Sequence, residues 1–452
     1  MEQTLKQRAV RSGNWVFASH ISSQVIRLGG NLILTRLLVP EMFGIMSIVS
    51  VLLAGVGMFS DLGIFQNIIQ SKRSDERSYI DTAWTMQILR GVFITVILLI
   101  VAITLYDLKD SGLFDEASVY AASELPWAIA AMSLTALIAG FNSINLALLN
   151  RDLKLKEIAF IEICSQVFGL VAMTLLAFIY ANIWALVIGT ILSSFVKMLL
   201  SHLSSFGEMN RIKWDVSAAK EIFHFGKWVF GASIFTFFAG QGDRLILGGL
   251  VTPEELGVYT IAFFLATAFR NIVRKIMSSV FYPVLSEVVK TRPKELQTIY
   301  YKIRFKVDVV VMLAVGVLAS SGRVIIDLLY DDRYIEAGWM FEYLSLSTVF
   351  VGITMAGTCF LALGDSKSIM KLTAASSIAL FITVPIAHVF FGIEGAVLAI
   401  ALNSLVELPI IFSMMNRYQL LDWKKEIQFF PLFFVSYVIG YLTLSFLGLY
   451  DG

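Results

Sequence analysis

The chain has 452 residues, 57% of them hydrophobic and only 15% charged, with a formal net charge of +1. A soluble protein carries about 25% charged residues, so the composition excludes a soluble enzyme and describes a polytopic membrane protein. The near-zero net charge carries no information on partners, because in such a chain charge is sorted loop by loop; no nucleic-acid partner is expected. Cys164 and Cys359 both fall inside apolar segments, which argues against a disulfide framework and against a thiolate metal site. No metal, cofactor or catalytic residue is expected. The first apolar segment is too long and too polar for a cleavable signal, and no small-residue cleavage site follows it.

In chain order, stretches of about 20 apolar residues lie at 13–36, 43–64, 84–105, 126–149, 158–180, 183–203, 226–250, 257–280, 306–330, 339–363, 370–391, 393–415 and 429–449. Lysine and arginine alternate strictly between the connections. Basic clusters occupy the N-terminus (Lys6, Arg8, Arg11) and the loops after the second segment (Lys72, Arg73, Arg77) and the fourth (Arg151, Lys154, Lys156). They recur after the sixth, eighth, tenth and twelfth segments, the last two with Lys367 and Lys371, then Arg417, Lys424 and Lys425. The opposite loops hold only Arg36, Lys109 and Arg333. The positive-inside rule therefore predicts a cytoplasmic N-terminus, and an odd number of spans puts Gly452 outside. The basic stretch Ser204 to Phe225, with Trp214 and Phe223 interleaved, reads as a linker at the cytoplasmic interface.

A shift of 213 residues, from Gly13 to Gly226, superposes Gly13-Asn14-Trp15-Val16-Phe17 on Gly226-Lys227-Trp228-Val229-Phe230. At the same offset Ile33-Leu34 meets Ile246-Leu247, Pro40-Glu41 meets Pro253-Glu254, and Gly44 meets Gly257. The offset covers an even number of spans, so the halves are parallel repeats. The expected architecture is all-α: two parallel-repeat six-helix bundles around a central cavity, plus one extra, peripheral C-terminal helix. The corresponding domains are 1–203, a linker at 204–225, a second lobe at 226–415, and the extra helix at 416–452.

The first span carries His20, Gln24, Arg27 and Asn31, spaced 4, 3 and 4 residues apart and so forming one polar stripe. An arginine mid-span costs roughly 2.5–3.5 kcal/mol on insertion scales, so it should face protein or water. The stripe either lines a cavity or packs against a helix that supplies a carboxylate for Arg27. In the repeat, Arg27 maps to Gly240 and Asn31 to Arg244, so each half places one arginine on this helix; Asp61 maps to Arg274. The cations within spans are Arg27, Arg90, Lys197, Arg244, Arg270, Arg274, Lys275 and Arg323. Arg90, Lys197, Arg274 and Lys275 lie near a basic boundary where long side chains snorkel to the headgroups, and Arg323 reads as a partner of Asp327. Arg27, Arg244 and Arg270 are the deepest and fit a cavity that holds an anion; the planar fork of arginine suits a phosphate. Asp61, Asp243 and Glu407, with Glu162 and Asp308, are candidates for ion coupling or for simple ion pairs. His20 either titrates or is a neutral, packed side chain.

The runs "LTRLLVPEMFGIMSIVSV" and "FSDLGIFQNIIQSKRSDERSYIDTAWTMQILRG" resemble the Wzx-type polysaccharide transporters. These belong to the multidrug/oligosaccharidyl-lipid/polysaccharide exporter superfamily. "DRLILGGLVTPEELGVYTIAFF" looks like the second-half copy of the motif. The resemblance implies an inner-membrane flippase that moves an undecaprenyl-diphosphate-linked oligosaccharide to the outer leaflet by alternating access of its lobes. The product would be O-antigen, capsule or exopolysaccharide. It implies a cationic cavity, which Arg27 and Arg244 fit, with Arg270 beside them, and membrane lipids and a polysaccharide polymerase or chain-length regulator as partners. The helix count departs from the twelve or fourteen usual in that family. A peptidoglycan lipid-precursor flippase and an ion-coupled multidrug exporter are the alternatives; the latter wants an acidic, aromatic cavity where this chain has arginine. An enzyme would need a sizeable outer loop with catalytic carboxylates, and the only outer acidic pair, Asp331-Asp332, reads as solvated surface.

Overall fold

The computed structural model describes residues 5–109, 111–203 and 210–449, without the side chains of 5–14, 16–17, 225–232 and 278–279. The expectations resting on Lys6, Arg8 and Arg11, on Gly226 to Phe230, on the first part of the linker and on Gly452 lie outside the described residues. The described chain is helical, with no strand among it. It divides into one compact unit of residues 1–237 with 252–254 and another of 238–251 with 255–452.

The first unit runs α1 (Leu5–Leu37), α2 (Pro40–Phe59), α3 (Ile64–Gln70), α4 (Arg77–Leu108), α5 (Leu125–Gly140), α6 (Asn145–Arg151), α7 (Leu155–Tyr180), α8 (Ile183–Leu203) and the start of α9 (Val216–Gly248). Pro40 starts α2, preceded by Val39 in the extended conformation that a following proline imposes. The predicted span 126–149 is broken: α5 and α6 meet at 60°. The carbonyls freed at the break are taken up by α4, where Gln87 Nε2 donates to Gly140 O (3.0 Å) and Asn142 O (2.9 Å) and Trp84 Nε1 to Asn142 O (3.1 Å). Gly91 and Gly140 let α4 and α5 approach this closely, since a Cβ on Gly91 would sit 2.8 Å from Ala136 O. The end of the linker is pinned onto α4. Arg211 N donates to Asp81 Oδ1 (3.1 Å), Lys213 N to Thr85 Oγ1 (3.0 Å) and Asp215 N to Thr82 Oγ1 (2.9 Å). Beyond it, Ala218, Ala219 and Ile222 of α9 are buried with Ile64, Ile68, Tyr79 and Ala147.

The second unit continues from the end of α9 through α10 (Pro253–Ile276), α11 (Tyr282–Thr291), α12 (Leu296–Leu329) and α13 (Ala337–Ser345). It ends with α14 (Val351–Thr354), α15 (Ala356–Ala362), α16 (Ser366–Leu402), α17 (Leu408–Arg417), α18 (Trp423–Ile427) and α19 (Phe430–Phe446). α16 breaks at Gly392 (φ 62°, ψ −154°), a conformation open only to glycine; the break falls between the predicted segments 370–391 and 393–415, the second of which continues into α17. The extra C-terminal helix α19 is seated on α12. Ser436 Oγ donates to Met312 O (3.1 Å), and a Cβ on Gly316 would lie 2.7 Å from Phe433 O. Its remaining surface is open and apolar.

Nine helical stretches among the described residues are long and apolar enough to cross a membrane, or ten if the bent pair α5–α6 counts as one. The most apolar 18-residue window of α4 has a mean hydropathy of 2.7, and only 28% of it is buried by protein. Phe178 (80% exposed), Phe93 and Ile100 stand open in the same way. In water such a surface would aggregate; in a bilayer it is solvated by lipid. The protein is an all-α, multi-pass membrane protein.

Candidate functional site

The intramembrane cations separate into those with a carboxylate within ion-pair distance and those without. Arg90 donates to Gly57 O (2.7 Å) and lies 3.9 Å from Asp61. Asp61 also accepts from Gly63 N (3.0 Å) at the turn after α2, so its carboxylate is engaged in closing that turn. Lys197 approaches Glu162 at 3.9 Å. Arg323 meets Glu342 at 3.8 Å on the neighbouring α13 instead of the expected Asp327; the two are brought together by the close crossing of α12 and α13 at Gly322 and Gly338. Among the described residues no carboxylate pairs with Arg27, Arg244, Arg270 or Arg274.

In the second unit Arg244 and Arg270 lie about the Tyr259–Asp243 pair, with Arg274 in electrostatic reach of Arg270 and of a second acid, Glu407. Tyr259, Phe263, Arg270 and Arg274 recur at spacings of 4, 7 and 4 residues and share one face of α10. Tyr259 Oη donates to Asp243 Oδ2 of α9 at 2.6 Å, with Asp243 5% exposed. Arg244, the next residue, points away from Asp243 because adjacent helical positions diverge by about 100°. Its guanidinium lies over the Phe263 ring, 4.5 Å from the centroid, and its Nη1 donates to Gln241 Oε1 at 2.7 Å. Arg270 Nη1 donates to Ser347 Oγ at 3.2 Å. The Nε–H groups of both Arg244 and Arg270 are enclosed with no protein acceptor, a condition that costs about 1–3 kcal/mol for a buried donor and more for a charged one. Tyr259 is in electrostatic reach of Asp243, Arg244 and Arg270, and Arg270 of Arg274. Glu407, on the 3₁₀ turn Asn403–Glu407, is in electrostatic reach of Arg274. Asn403 Nδ2 donates to Ser376 Oγ at 2.9 Å, holding that turn against α16. Asp243, Arg244, Arg270, Arg274 and Glu407 thus fall in one unit, three guanidinium groups to two carboxylates.

In the first unit α1 lays a buried face, with Gly30 and Leu34, against α7, and Ser23 Oγ donates to Gln166 Oε1 at 2.7 Å. Ile21, Val25 and Leu28 form its open apolar face. The polar stripe runs along the border between them: His20, Gln24 and Asn31 are half-buried and Arg27 is exposed. His20 Nε2 is enclosed without a partner. Sequence reasoning missed Tyr259, Phe263 and Ser347. The first two carried a usable signal, their four-residue spacing on the face of Arg270; Ser347 carried none. No group of His, Cys, Asp and Glu among the described residues could hold a metal ion.

The family described as "Polysaccharide biosynthesis protein" matches residues 33–338. The chain is 19% identical to the lipopolysaccharide biosynthesis protein WzxC of Escherichia coli K12 over 403 residues, covering 80% of this chain and 78% of that protein. Among solved structures it is similar to the lipid II flippase MurJ in an inward closed conformation. That likeness has a TM-score of 0.68 at 12% identity and covers 98% of this chain and 99% of MurJ. An inward-facing multidrug resistance MATE family transporter of the MOP superfamily gives a TM-score of 0.65 at 15% identity, covering 88% and 94%. At these identities the likeness establishes the fold, that of MOP-superfamily transporters.

Proposed function

Because the chain belongs to the polysaccharide biosynthesis protein family, we propose that it is a flippase for lipid-linked oligosaccharide, and that the arginines of α9 and α10 receive the diphosphate of the cargo. The cargo would be an undecaprenyl-diphosphate-linked repeat unit, moved from the cytoplasmic to the outer leaflet of the bacterial inner membrane by alternating access of two lobes. The N-terminus would be cytoplasmic. The observation that carries this reading is the pair of enclosed, acceptor-less Nε–H groups on Arg244 and Arg270. A diphosphate oxygen supplies the missing acceptor, and a charge-assisted contact of that kind contributes about 1.5–3 kcal/mol. A cationic drug would meet the wrong sign of charge here.

Lipid analysis of a deletion strain tests the proposal. Wild type should clear undecaprenyl-diphosphate-glycan from the cytoplasmic leaflet, while Arg244→Ala with Arg270→Ala leaves it accumulated; Arg27→Ala run alongside tests the α1 stripe. Unchanged lipid-linked glycan with raised sensitivity to cationic dyes would replace the flippase by the exporter. Accumulation of the peptidoglycan precursor alone would assign the other diphosphate cargo.

A further inference from the structure

We propose that the second unit carries a separate phosphate-binding pocket at its basic end, built by Lys367, Lys371 and Arg417. The three line a cavity of about 430 Å³ between the start of α16 and the end of α17, the size range of small-ligand sites. Lys367 and Lys371 stand one turn apart on the same face of α16, where like charges repel, and Arg417 reaches in from α17. No carboxylate forms an ion pair with any of the three among the described residues. The one acid in the wall, Asp365, is committed to the frame. It accepts from Ser368 N (3.1 Å), Ser368 Oγ (2.6 Å) and Tyr418 Oη (2.7 Å), and so ties the first turn of α16 to the end of α17. The pocket is therefore held open by fixed hydrogen bonds and carries an excess of positive charge.

The chemistry that fits is a phosphate group, bound by two flexible ammonium groups and a guanidinium fork. The same face of α16 continues into Ile378 and Ile382, 59% and 54% exposed. An apolar track leading away from three cations is the arrangement of a phospholipid, with its headgroup in the pocket and an acyl chain along the helix. A soluble phosphate would use the cations and ignore the track. This site shares no residue with the Arg244–Arg270 cluster, so it stands or falls apart from the transport reading.

Native mass spectrometry of the purified full chain in detergent tests it. The probes are dioleoylphosphatidylglycerol, dioleoylphosphatidylcholine and sodium pyrophosphate. Wild type should retain phosphatidylglycerol over phosphatidylcholine. Lys367→Ala/Lys371→Ala/Arg417→Ala should weaken it on the order of a hundredfold, each cation near an anionic surface contributing roughly fivefold. The charge-keeping Lys367→Arg/Lys371→Arg variant should bind as wild type and guards against misfolding of the triple variant. Selective loss of pyrophosphate binding alone would support the pocket and assign it to a soluble phosphate. Equal binding of all three probes by wild type and the triple variant would overturn it.

Discussion

Two arginine sites in the second unit, both on membrane helices, are built on opposite principles. Arg304 of α12 is 2% exposed and locked. Its Nε donates to Asp308 Oδ2 at 2.9 Å, its Nη1 to Glu426 of α18, and Tyr301 Oη donates to the same Glu426 oxygen at 2.7 Å. Arg244 and Arg270 are held by one neutral hydrogen bond each, to Gln241 and Ser347, and keep an enclosed donor with no protein acceptor. The first arrangement satisfies the charge within the fold, whereas the second orients it and leaves it unneutralised. Both lie on membrane helices, so a place on such a helix does not separate a structural arginine from one available to an anion. The partners do.

Substitution should break the two sites differently. Arg304→Met strands Asp308 and Glu426 in the interior and should cost about 3–5 kcal/mol, read as a lower thermal midpoint in detergent. Replacing Asp308 and Glu426 by leucine as well should recover most of that loss. Arg244→Ala/Arg270→Ala should leave the midpoint nearly unchanged while flipping of lipid-linked glycan in reconstituted vesicles falls about 10- to 100-fold, equivalent to about 1.4–2.7 kcal/mol of lost phosphate contacts. A matching drop in midpoint would make these arginines structural. Tyr259→Phe removes the hydrogen bond to the buried Asp243 and should destabilise by roughly 1.5–3 kcal/mol, with the loss greatly reduced in an Asp243→Leu background.

The smallest effect concerns pH. The hydrogen bonds from Ser368 and Tyr418 hold the Asp365 carboxyl below the usual carboxylate range. A depressed folded-state value means that the stabilisation is fully present above the ordinary value, about 4, and is lost as pH falls through the depressed one. Hydrogen-exchange protection of the Ser368 amide should therefore hold from neutral pH to about 4 and fall only below it. In Asp365→Asn the fall should disappear.

Much of the fold was legible in the sequence because bilayer spans announce themselves by length and apolarity. The gap between 370–391 and 393–415 coincides with the glycine break, and Pro40 and Pro253 begin equivalent helices in the two repeats. The bend between α5 and α6 was not legible, because the residues that satisfy it, Trp84 and Gln87, lie on another helix. The short helices α3, α11 and α18 were missed because they are too short to cross a bilayer and fall in the connections between the long apolar stretches. For the site, the stripe on α1 and the repeat-related Arg244 followed from helical spacing. The sorting of cations into paired and unpaired did not, since Arg323–Glu342 and Arg304–Glu426 are made between helices.

The clasp on Arg304 also sets an order of events at the ribosome. Glu426 follows Arg304 by 122 positions in the chain, on the order of ten seconds of synthesis at about 5–20 residues per second. During that interval α12 has its own Asp308 and Tyr300 to shield its arginine, and α18 does not yet exist to complete the cage. A nascent chain stalled before Trp423 should leave Arg304 with that partial cage, read as slower partitioning of α12 into the bilayer than in a chain extended past Glu426.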